Sequence, residues 1–243
     1  MAGANRAARF FIFFCRLSRS ASAARKLFDT RAFVDALSIP SIGALLVAYF
    51  ICILAFGNFE TTLSMMISGQ AKGSPFDFKY WEVFCTFAFI GLVLTLAQGL
   101  LVRRLSGKVH EGIMAGCGAV LEIIGFGLMM MAIDSGWRWQ LYGALTVVVC
   151  GFALMMPTLM SLISRRSDPT KQGGILGLGQ SISALARIFG PLMGLPLLSI
   201  DVKLPYKVAA GMMALGLIGI FFAARRGHDY GAAPQAAETM MEM

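Results

Sequence analysis

Charged residues are scarce in this sequence, and that scarcity already excludes most protein classes. Asp, Glu, Lys and Arg together make up 14% of the 243 residues, whereas hydrophobic residues make up 57%. A soluble globular domain carries about 25% charged residues. The mean hydropathy of +0.72 points the same way. The composition therefore excludes an ordinary soluble domain and predicts a protein that lies in a lipid bilayer.

Histidines and paired cysteines are also scarce, which limits the chemistry open to the chain. The two histidines, His110 and His228, both lie outside the long apolar runs. The five cysteines form no Cys-x-x-Cys pair, so we predict small buried hydrophobes rather than disulfides or metal ligands. These cysteines are Cys15, Cys52, Cys85, Cys117 and Cys150. The sequence thus predicts no catalytic residues, no metal site and no cofactor.

Six apolar runs fill most of the chain, each near the ~20 residues that a crossing helix needs. We predict one all-α bundle of six transmembrane helices over residues 39–224. It is preceded by a basic segment at 1–38 and followed by a tail at 225–243. Because the connectors are short, we expect successive helices to be antiparallel neighbours. The predicted spans are Ile39–Met66, Tyr80–Val102, Ile113–Ile133, Leu141–Ile163, Gly173–Leu198 and Tyr206–Ala224.

The net charge of +8 is distributed unevenly between the two sides of the predicted bundle. Fifteen basic residues fall on one side: Arg6, Arg9, Arg16, Arg19, Arg25, Lys26, Arg31, Arg103, Arg104, Lys108, Arg165, Arg166, Lys171, Arg225 and Arg226. Five fall on the other: Lys72, Lys79, Arg138, Lys203 and Lys207. Cytoplasmic loops carry the excess of Lys and Arg. The pattern predicts both termini inside, and it explains the charge without nucleic-acid binding.

The N-terminal segment has two interpretations. Residues 1–28 contain no acidic residue and are rich in Ala, Arg and Ser, which is typical of a mitochondrial transit peptide. The alternative is a basic cytoplasmic linker that orients the first span, with the apolar run at 10–15 too short to cross. The membrane is accordingly a cell or inner membrane in the second case and an organelle membrane in the first.

The fifth span combines features that a lipid-facing helix would not have. Arg187 lies near its middle, where a lone arginine costs about 2.5 to 3.5 kcal/mol. Small residues recur at helical spacing and predict a flat seam for a neighbouring helix. They are Gly173, Gly177, Ser181 and Ala184. Pro191 and Pro196 predict a break in the backbone hydrogen-bond ladder near its far end. Together these features favour a membrane transporter.

Three carboxylates lie in or near the spans. Glu82 is interpreted as a solvated helix end. Glu60, in the outer third of the first span, is either solvated or partly shielded, and a carboxyl shielded from water favours its protonated form. Glu122 lies halfway along the third span, at a depth similar to that of Arg187. The two form either a structural ion pair that fixes helix register or part of a functional site.

Two other six-helix classes fail on the residues. A rhomboid-type serine protease needs a histidine base within the bundle, and although Gly179–Ser181 fits its Gly-x-Ser pattern, no span contains histidine. Mitochondrial carriers have three repeats of about one hundred residues with a Pro-x-acid-x-x-base signature. That signature is absent from this sequence.

The run KQGGILGLGQSISALARIFGPLMGLPLL, Lys171–Leu198, resembles the eleventh helix of major facilitator superfamily transporters and the loop before it. The likeness is greatest to the tetracycline and multidrug proton antiporters. It rests on Gln172, Gly173, Gly177, Ser181, Ser183, Gly190 and Pro191. Gln98–Gly112 is similar to the loop between helices eight and nine, and Gly151–Ser167 to helix ten. Arg103 stands where the first-half version of that loop has an aspartate, so the gating role of that version is not carried over.

A complete transporter of this family has twelve helices in two halves, and these six spans match the second half. The segment Arg16–Arg31 then resembles the linker between the halves. Three arrangements stay open: a fragment of a longer protein, assembly with a separate first-half chain, or a homodimer. Related halves have parallel topology, so an N-in second half is compatible with such a partner.

The resemblance implies a secondary transporter that moves a small amphiphilic solute outward, coupled to protons, by alternating access. A non-transporting or truncated membrane scaffold is the alternative. Residues predicted to line the cavity or couple protons are Tyr49, Asn58, Glu60, Thr95, Gln98, Glu122, Gln180, Ser183 and Arg187. Residues predicted to pack helices are Gly173, Gly177, Gly190, Pro191 and Gly194.

Overall fold

The computed structural model of the chain describes residues 40–168 and 172–226, and within these ranges it is entirely helical. Six helices are long and apolar enough to cross a membrane. We number them α1 Pro40–Ile67, α2 Tyr80–Leu96, α3 Glu111–Ser135, α4 Arg138–Arg166, α5 Gln172–Ile200 and α6 Leu204–Arg226. The second span continues through a π-helical turn, Ala97–Val102, and a short helix, Arg103–Leu105.

All six predicted spans are confirmed as helices, and the protein is an integral, multi-pass membrane protein. The helices extend beyond the predicted apolar runs by a few residues. At α4, for example, the helix includes Arg138 at one end and Arg165 and Arg166 at the other. The extensions are polar because the helix ends reach past the hydrocarbon core into the interface, where charged side chains meet water. The predicted N-terminal segment 1–38, the residues 227–243 of the tail, and Lys171 lie outside the described residues.

The helices do not pack simply in chain order. α3 and α4 share the most extensive contact, α1 packs on α5 and α6, and α3 packs on α6. The second span packs mainly on α4 and makes no extensive contact with α1 or α3. The expectation that successive helices are neighbours is therefore wrong for α2. The loop of residues 68–79 is long enough to carry the chain across the bundle before α2 begins.

Aromatic side chains fill the centre of the bundle, where α1, α3, α4 and α6 meet. Phe56 of α1 stacks on Phe152 of α4, with ring centroids 3.7 Å apart. Phe59 contacts Phe126 of α3 at 5.5 Å and Tyr206 of α6 at 6.3 Å. Large rings of this kind dominate packing energy because each buries 150–250 Å². They fix α1 against three neighbouring helices at once.

The α3–α4 contact depends on glycines that bring the two backbones together. A Cβ on Gly118 would lie 2.7 Å from the carbonyl oxygen of Gly151, and one on Gly151 would lie 2.6 Å from that of Gly118. A Cβ on Gly125 would lie 2.8 Å from the backbone nitrogen of Val148. Small residues permit this close approach, which drives helix association in a solvent that is as apolar as the side chains.

Polar contacts tie the helices at both ends of the bundle. At the basic end, the guanidinium of Arg166 donates to the carbonyl of Ala223 at 2.7 Å. Nearby, Arg165 and Glu111 form an ion pair at 3.1 Å. At the opposite end, Arg138 pairs with Glu82 at 2.8 Å, and a further ion pair joins Lys203 to Asp134. Glu82 is thus part of an ion pair at a helix end, in agreement with its interpretation as an interfacial residue.

Candidate functional site

The crossing of α1 and α5 forms the frame of the site. A Cβ on Gly190 would lie 2.8 Å from the carbonyl carbon of Gly57 and 2.9 Å from the nitrogen of Asn58. One turn further on, a Cβ on Gly194 would lie 2.9 Å from the Thr62 side chain. Glycine is required at these positions because any side chain would separate the two backbones. The predicted packing roles of Gly190 and Gly194 are consistent with this geometry, and Pro191 lies between them.

Three of the predicted site residues come together one to two turns from this crossing. Tyr49 of α1 is buried, with 2% of its surface exposed. The Ser183 side chain of α5 and Arg187 both lie near its hydroxyl. Ser183 is itself buried, whereas Arg187 is exposed. The structure therefore places a buried Tyr–Ser pair directly behind an exposed arginine.

The exposed surface of α1 and α5 carries further polar residues within the membrane spans. Gln180 of α5 and Glu60 of α1 are exposed, like Arg187. We define the open face by three exposed polar residues of these two helices, Glu60, Gln180 and Arg187. Ser183 was predicted to line the cavity together with Gln180 and Arg187. Instead the Ser183 side chain turns inward to Tyr49. Of these three residues, Ser183 is therefore buried, and Gln180 and Arg187 are exposed.

Asn58 joins two helices in the interior of the bundle. Its side chain is fully buried, and its amide nitrogen donates to the carbonyl of Pro205 at 2.9 Å. Pro205 stands in the first turn of α6, so this bond ties α1 to α6 across the bundle. Asn58 therefore faces the helix interface and not the open face.

Thr95 and Gln98 lie on the second span, away from the open face. Both are exposed. The Thr95 hydroxyl donates to the carbonyl of Gly91 at 2.8 Å, and the Gln98 carbonyl accepts from the backbone nitrogen of Arg103, which gives the π-helical turn. The structure does not bring these two side chains to α1 or α5, because the second span packs mainly on α4. π-helical turns are frequent at functional sites, and nothing in the sequence indicated this one.

Glu122 is separate from the open face, and its ion pair with Arg187 is not formed. The Glu122 side chain is fully buried between α3 and α4, where a Cβ on Gly151 would lie 2.8 Å from its Cγ. Neither of its carboxyl oxygens has a hydrogen-bond partner among residues 40–168 and 172–226. Similar depth along two helices suggested the pair. The depth of a residue in the membrane does not determine the direction of its side chain, however, and α3 and α5 do not pack on each other to any extent.

The predicted small-residue seam at the start of α5 is not covered by this chain. A Cβ on Gly173 or Gly177 would meet no atom within 4 Å in the described part of the structure. Gly179, on another side of the helix, is the glycine that packs there, against Met160 of α4. α5 continues through Pro191 and Pro196 to Ile200, so the break predicted there is limited to the hydrogen bonds that the proline nitrogens cannot donate.

Sequence reasoning missed the roles of two residues at the basic end. Arg166 was interpreted only as part of the charge asymmetry, yet it is buried and donates to the last carbonyls of α6, at Ala223 and Ala224. Glu111 accepts from the hydroxyl of Ser161 at 2.7 Å as well as from Arg165. Helix C-termini leave carbonyls unsatisfied. That rule could have indicated the role of Arg166 only if the contact between α4 and the end of α6 had been known.

The polar groups of the open face are suited to binding a solute. The open face offers one cation, one carboxylate and one amide, with a hydroxyl pair behind them. Within the described ranges, no group of three or more His, Cys, Asp and Glu side chains could hold a metal ion. The cysteines of those ranges, Cys52, Cys85, Cys117 and Cys150, are free thiols.

Comparison with known proteins supplies an independent line of evidence. The sequence profile of the Major Facilitator Superfamily matches residues 10–191. Major facilitator superfamily domain-containing protein 10 of Bos taurus is 27% identical over 166 residues, which cover 63% of this chain and 32% of that protein. The matched region thus includes most of the described bundle.

Two bacterial proteins give similar alignments. The class E tetracycline resistance protein of Escherichia coli is 28% identical over 155 residues, which cover 64% of this chain and 36% of that protein. Multidrug resistance protein 2 of Bacillus subtilis (strain 168) is 26% identical over 173 residues, which cover 68% of this chain and 40% of that protein. The chain therefore spans well under half the length of the relatives that it matches.

Proposed function

The chain belongs to the major facilitator superfamily, and from that premise we propose that it is the second-half module of a secondary transporter. It moves a small amphiphilic solute through a cavity that the open face lines on one side. A second six-helix bundle lines the other side. The two bundles rock against each other to expose the cavity alternately to the two sides of the membrane.

The exposure of Arg187 in the middle of α5 carries this proposal. An arginine that faced lipid at this depth would cost about 2.5 to 3.5 kcal/mol. Gln180 and Glu60 are exposed on the same two helices. Polar side chains at this depth face protein or a water-filled cavity. The open face therefore needs a cover that this bundle alone does not provide.

The geometry of the α1–α5 crossing suits a moving part. Backbone contact at Gly57 and Gly190 leaves no side chain between the two helices to rearrange. The buried side chains of Tyr49 and Ser183 lie near each other on the same two helices. Rigid-body movement of packed elements is one established form of conformational change. α1 and α5 would then carry Arg187 and Glu60 together during the change of access.

We propose Glu60 as the first choice for the proton carrier and Glu122 as the second. Glu60 lies on the open face, where a partner bundle would shield it from lipid while the cavity delivers water and protons. Glu122 lies deep in the α3–α4 interface, and a proton could reach it only if those helices separate. Outward movement of an amphiphilic solute in exchange for protons follows from the resistance proteins that the chain resembles.

A vesicle experiment tests the proposal. Inverted vesicles containing this chain, a first-half chain from a related transporter, or both are given a proton gradient, and uptake of tetracycline and of a fluorescent lipophilic cation is measured. We expect gradient-driven uptake only with both chains. Arg187→Gln should abolish it, whereas Lys207→Gln, which removes a charge at the end of α6, should retain it.

Three outcomes identify the arrangement. Uptake by this chain alone, together with dimers in the membrane, would assign the cover to a second copy of the chain. Uptake that needs both chains assigns it to a first half, either separate or joined in a longer protein. If no combination transports while the protein is folded and abundant, the transport proposal is wrong and the chain is a membrane scaffold.

A further inference from the structure

The outer surface of α3 and α6 differs in kind from the open face. Every exposed residue of α3 between Ile113 and Met131 is apolar, and the same holds for α6 between Gly211 and Phe222. The large side chains among them are Ile113, Val120, Ile124, Met131, Leu215, Ile218, Phe221 and Phe222. A purely apolar surface at membrane depth is in contact with acyl chains and needs no protein cover.

A groove runs along this apolar surface between the two helices. It has a volume of about 740 Å³ and extends on α3 from Gly112 to Leu121. Its floor is open at Gly116, where a Cβ would touch only Leu217, at 3.7 Å. Nine residues of helix rise about 14 Å, which is about half of the ~30 Å hydrocarbon core. The groove therefore has the length of the hydrocarbon of one leaflet.

Basic side chains surround the end of the groove that lies nearest the membrane surface. The guanidinium of Arg225 lines the groove and lies 4.0 Å from the centre of the Phe221 ring. His110 lines both the groove and a second cavity of about 330 Å³, which Lys108 and Arg165 also line. The groove thus continues from an apolar channel into a basic chamber.

The charges of this chamber favour an anion. Lys108 and Arg165 of the chamber and Arg225 of the adjoining groove contribute three positive charges, and Glu111 of the chamber, which pairs with Arg165, contributes one negative charge. The Nδ1 atom of His110 accepts from the backbone nitrogen of Gly112 at 3.2 Å. In the neutral ring, the other nitrogen, Nε2, then carries the proton and is a donor.

We propose that this groove and its basic end form a binding site for one anionic phospholipid. An acyl chain lies between α3 and α6, and the phosphate contacts Lys108, Arg225 and His110. Basic pockets between transmembrane helices recognise anionic headgroups in this way. A zwitterionic lipid fits the groove equally well, but its choline carries a positive charge into a chamber that is already positive.

The test is lipid binding to the purified, delipidated chain in mild detergent, followed by native mass spectrometry. Phosphatidylglycerol and phosphatidylcholine with identical acyl chains are the probes. We expect phosphatidylglycerol to bind at least ~10-fold more tightly than phosphatidylcholine. The double variant Lys108→Gln/Arg225→Gln should reduce that preference to less than ~2-fold. The matched control, Arg103→Gln/Arg104→Gln, removes two charges from the same end outside the groove and should retain it.

The groove itself is tested with a second matched pair. Gly116→Leu fills the channel and should weaken the binding of both lipids. Gly127→Leu, on the same helix but outside the groove, should leave the binding of both unchanged. If Gly116→Leu lowers the melting temperature, Val120→Phe obstructs the same channel from its exposed rim. If the Lys108→Gln/Arg225→Gln and Arg103→Gln/Arg104→Gln variants lose phosphatidylglycerol binding equally, the lipid is held by diffuse attraction to a basic surface and the proposed site is wrong. Equal competition by soluble glycerol phosphate would overturn it in favour of a free-anion site.

Discussion

α3 and α5 share two sequence features but have opposite surroundings. Both are rich in glycine, and both carry an ionisable residue near the middle, Glu122 in one and Arg187 in the other. In α3 the glycines at 118 and 125 contact the backbone of α4, and Glu122 is sealed between the helices. In α5 Gly173 and Gly177 meet no other helix of the described chain, and Arg187 is exposed.

The comparison shows that a stripe of small residues predicts the close approach of another helix but does not identify that helix. On α3 the partner is present in the chain, and the stripe forms a closed seam. On the first half of α5 the partner is absent from the described residues, and the stripe stays on the surface beside Gln180 and Arg187. The difference is what one half of a two-part transporter would present.

Gly118→Ala should have the largest effect, because its Cβ would collide with the Gly151 carbonyl oxygen at 2.7 Å. Overpacking of this kind costs about 1 to 3 kcal/mol. Gly177→Ala is the matched control, and it should keep or slightly raise stability because Ala favours a helix by about 0.8 to 1 kcal/mol over Gly. Melting temperatures in detergent measure both. Equal destabilisation of the two variants would mean that the α5 stripe is covered within the chain.

Glu60→Gln should leave the fold unchanged, because the side chain is exposed, and should abolish transport driven by a proton gradient. The substitution preserves size and hydrogen bonding while it fixes the neutral state. Exchange of substrate down its own gradient should persist, which separates coupling from binding. The measurement is uptake into vesicles, with and without a proton gradient, in the presence of a first-half chain.

Glu122→Gln provides the comparison for that result. If it loses dependence on the proton gradient while Glu60→Gln retains it, the coupling role belongs to the closed seam. If both variants transport with unchanged dependence on the gradient, neither acid couples protons.

Glu122 and Arg187 should behave independently, because the structure places them on helices that do not pack together. In a double-mutant cycle with Glu122→Met and Arg187→Leu, we expect stability changes to add within about 0.3 to 0.5 kcal/mol. Glu122→Met alone should be neutral or stabilising, since it replaces an unpaired buried carboxyl with an apolar side chain of similar length. A coupling energy above about 1 kcal/mol would show that the two residues meet.

Membrane orientation can be measured without any change in stability. In a chain whose native cysteines are replaced, Lys72→Cys and Ser106→Cys lie in exposed loops on opposite sides of the bundle. The distribution of basic residues predicts that an impermeant thiol reagent labels Lys72→Cys in intact cells and spares Ser106→Cys. Labelling in the reverse pattern would invert the proposed N-in topology.

The sequence predicted the helices well because their length and hydropathy follow directly from the thickness of the bilayer. All six spans were found within a few residues. The neighbours of each helix were harder to predict. α2 lies against α4 through contacts such as that between Thr86 and Tyr142, whose hydroxyls are 3.1 Å apart. Such contacts join residues distant in sequence, and no local pattern encodes them.

The site was predicted less completely than the fold, for the same reason. Tyr49, Ser183 and Arg187 were predicted only as members of a larger cavity set, and the sequence did not indicate that they lie near the crossing of α1 and α5. The direction of each side chain was not predicted, so Ser183 and Asn58 were both assigned to the cavity, whereas both are buried. No property of these residues alone determines what covers α5.

The central claim is that the open face of α5 borders water while the outer face of α3 borders lipid. The most direct measurement is the reaction of a water-soluble maleimide with Gln180→Cys and with Val120→Cys, in a chain without native cysteines, in membranes that also contain a first-half chain. Both positions are exposed and lie within spans. We predict fast reaction of Gln180→Cys and little reaction of Val120→Cys. Equal reactivity of the two cysteines, whether fast or slow, would contradict the account.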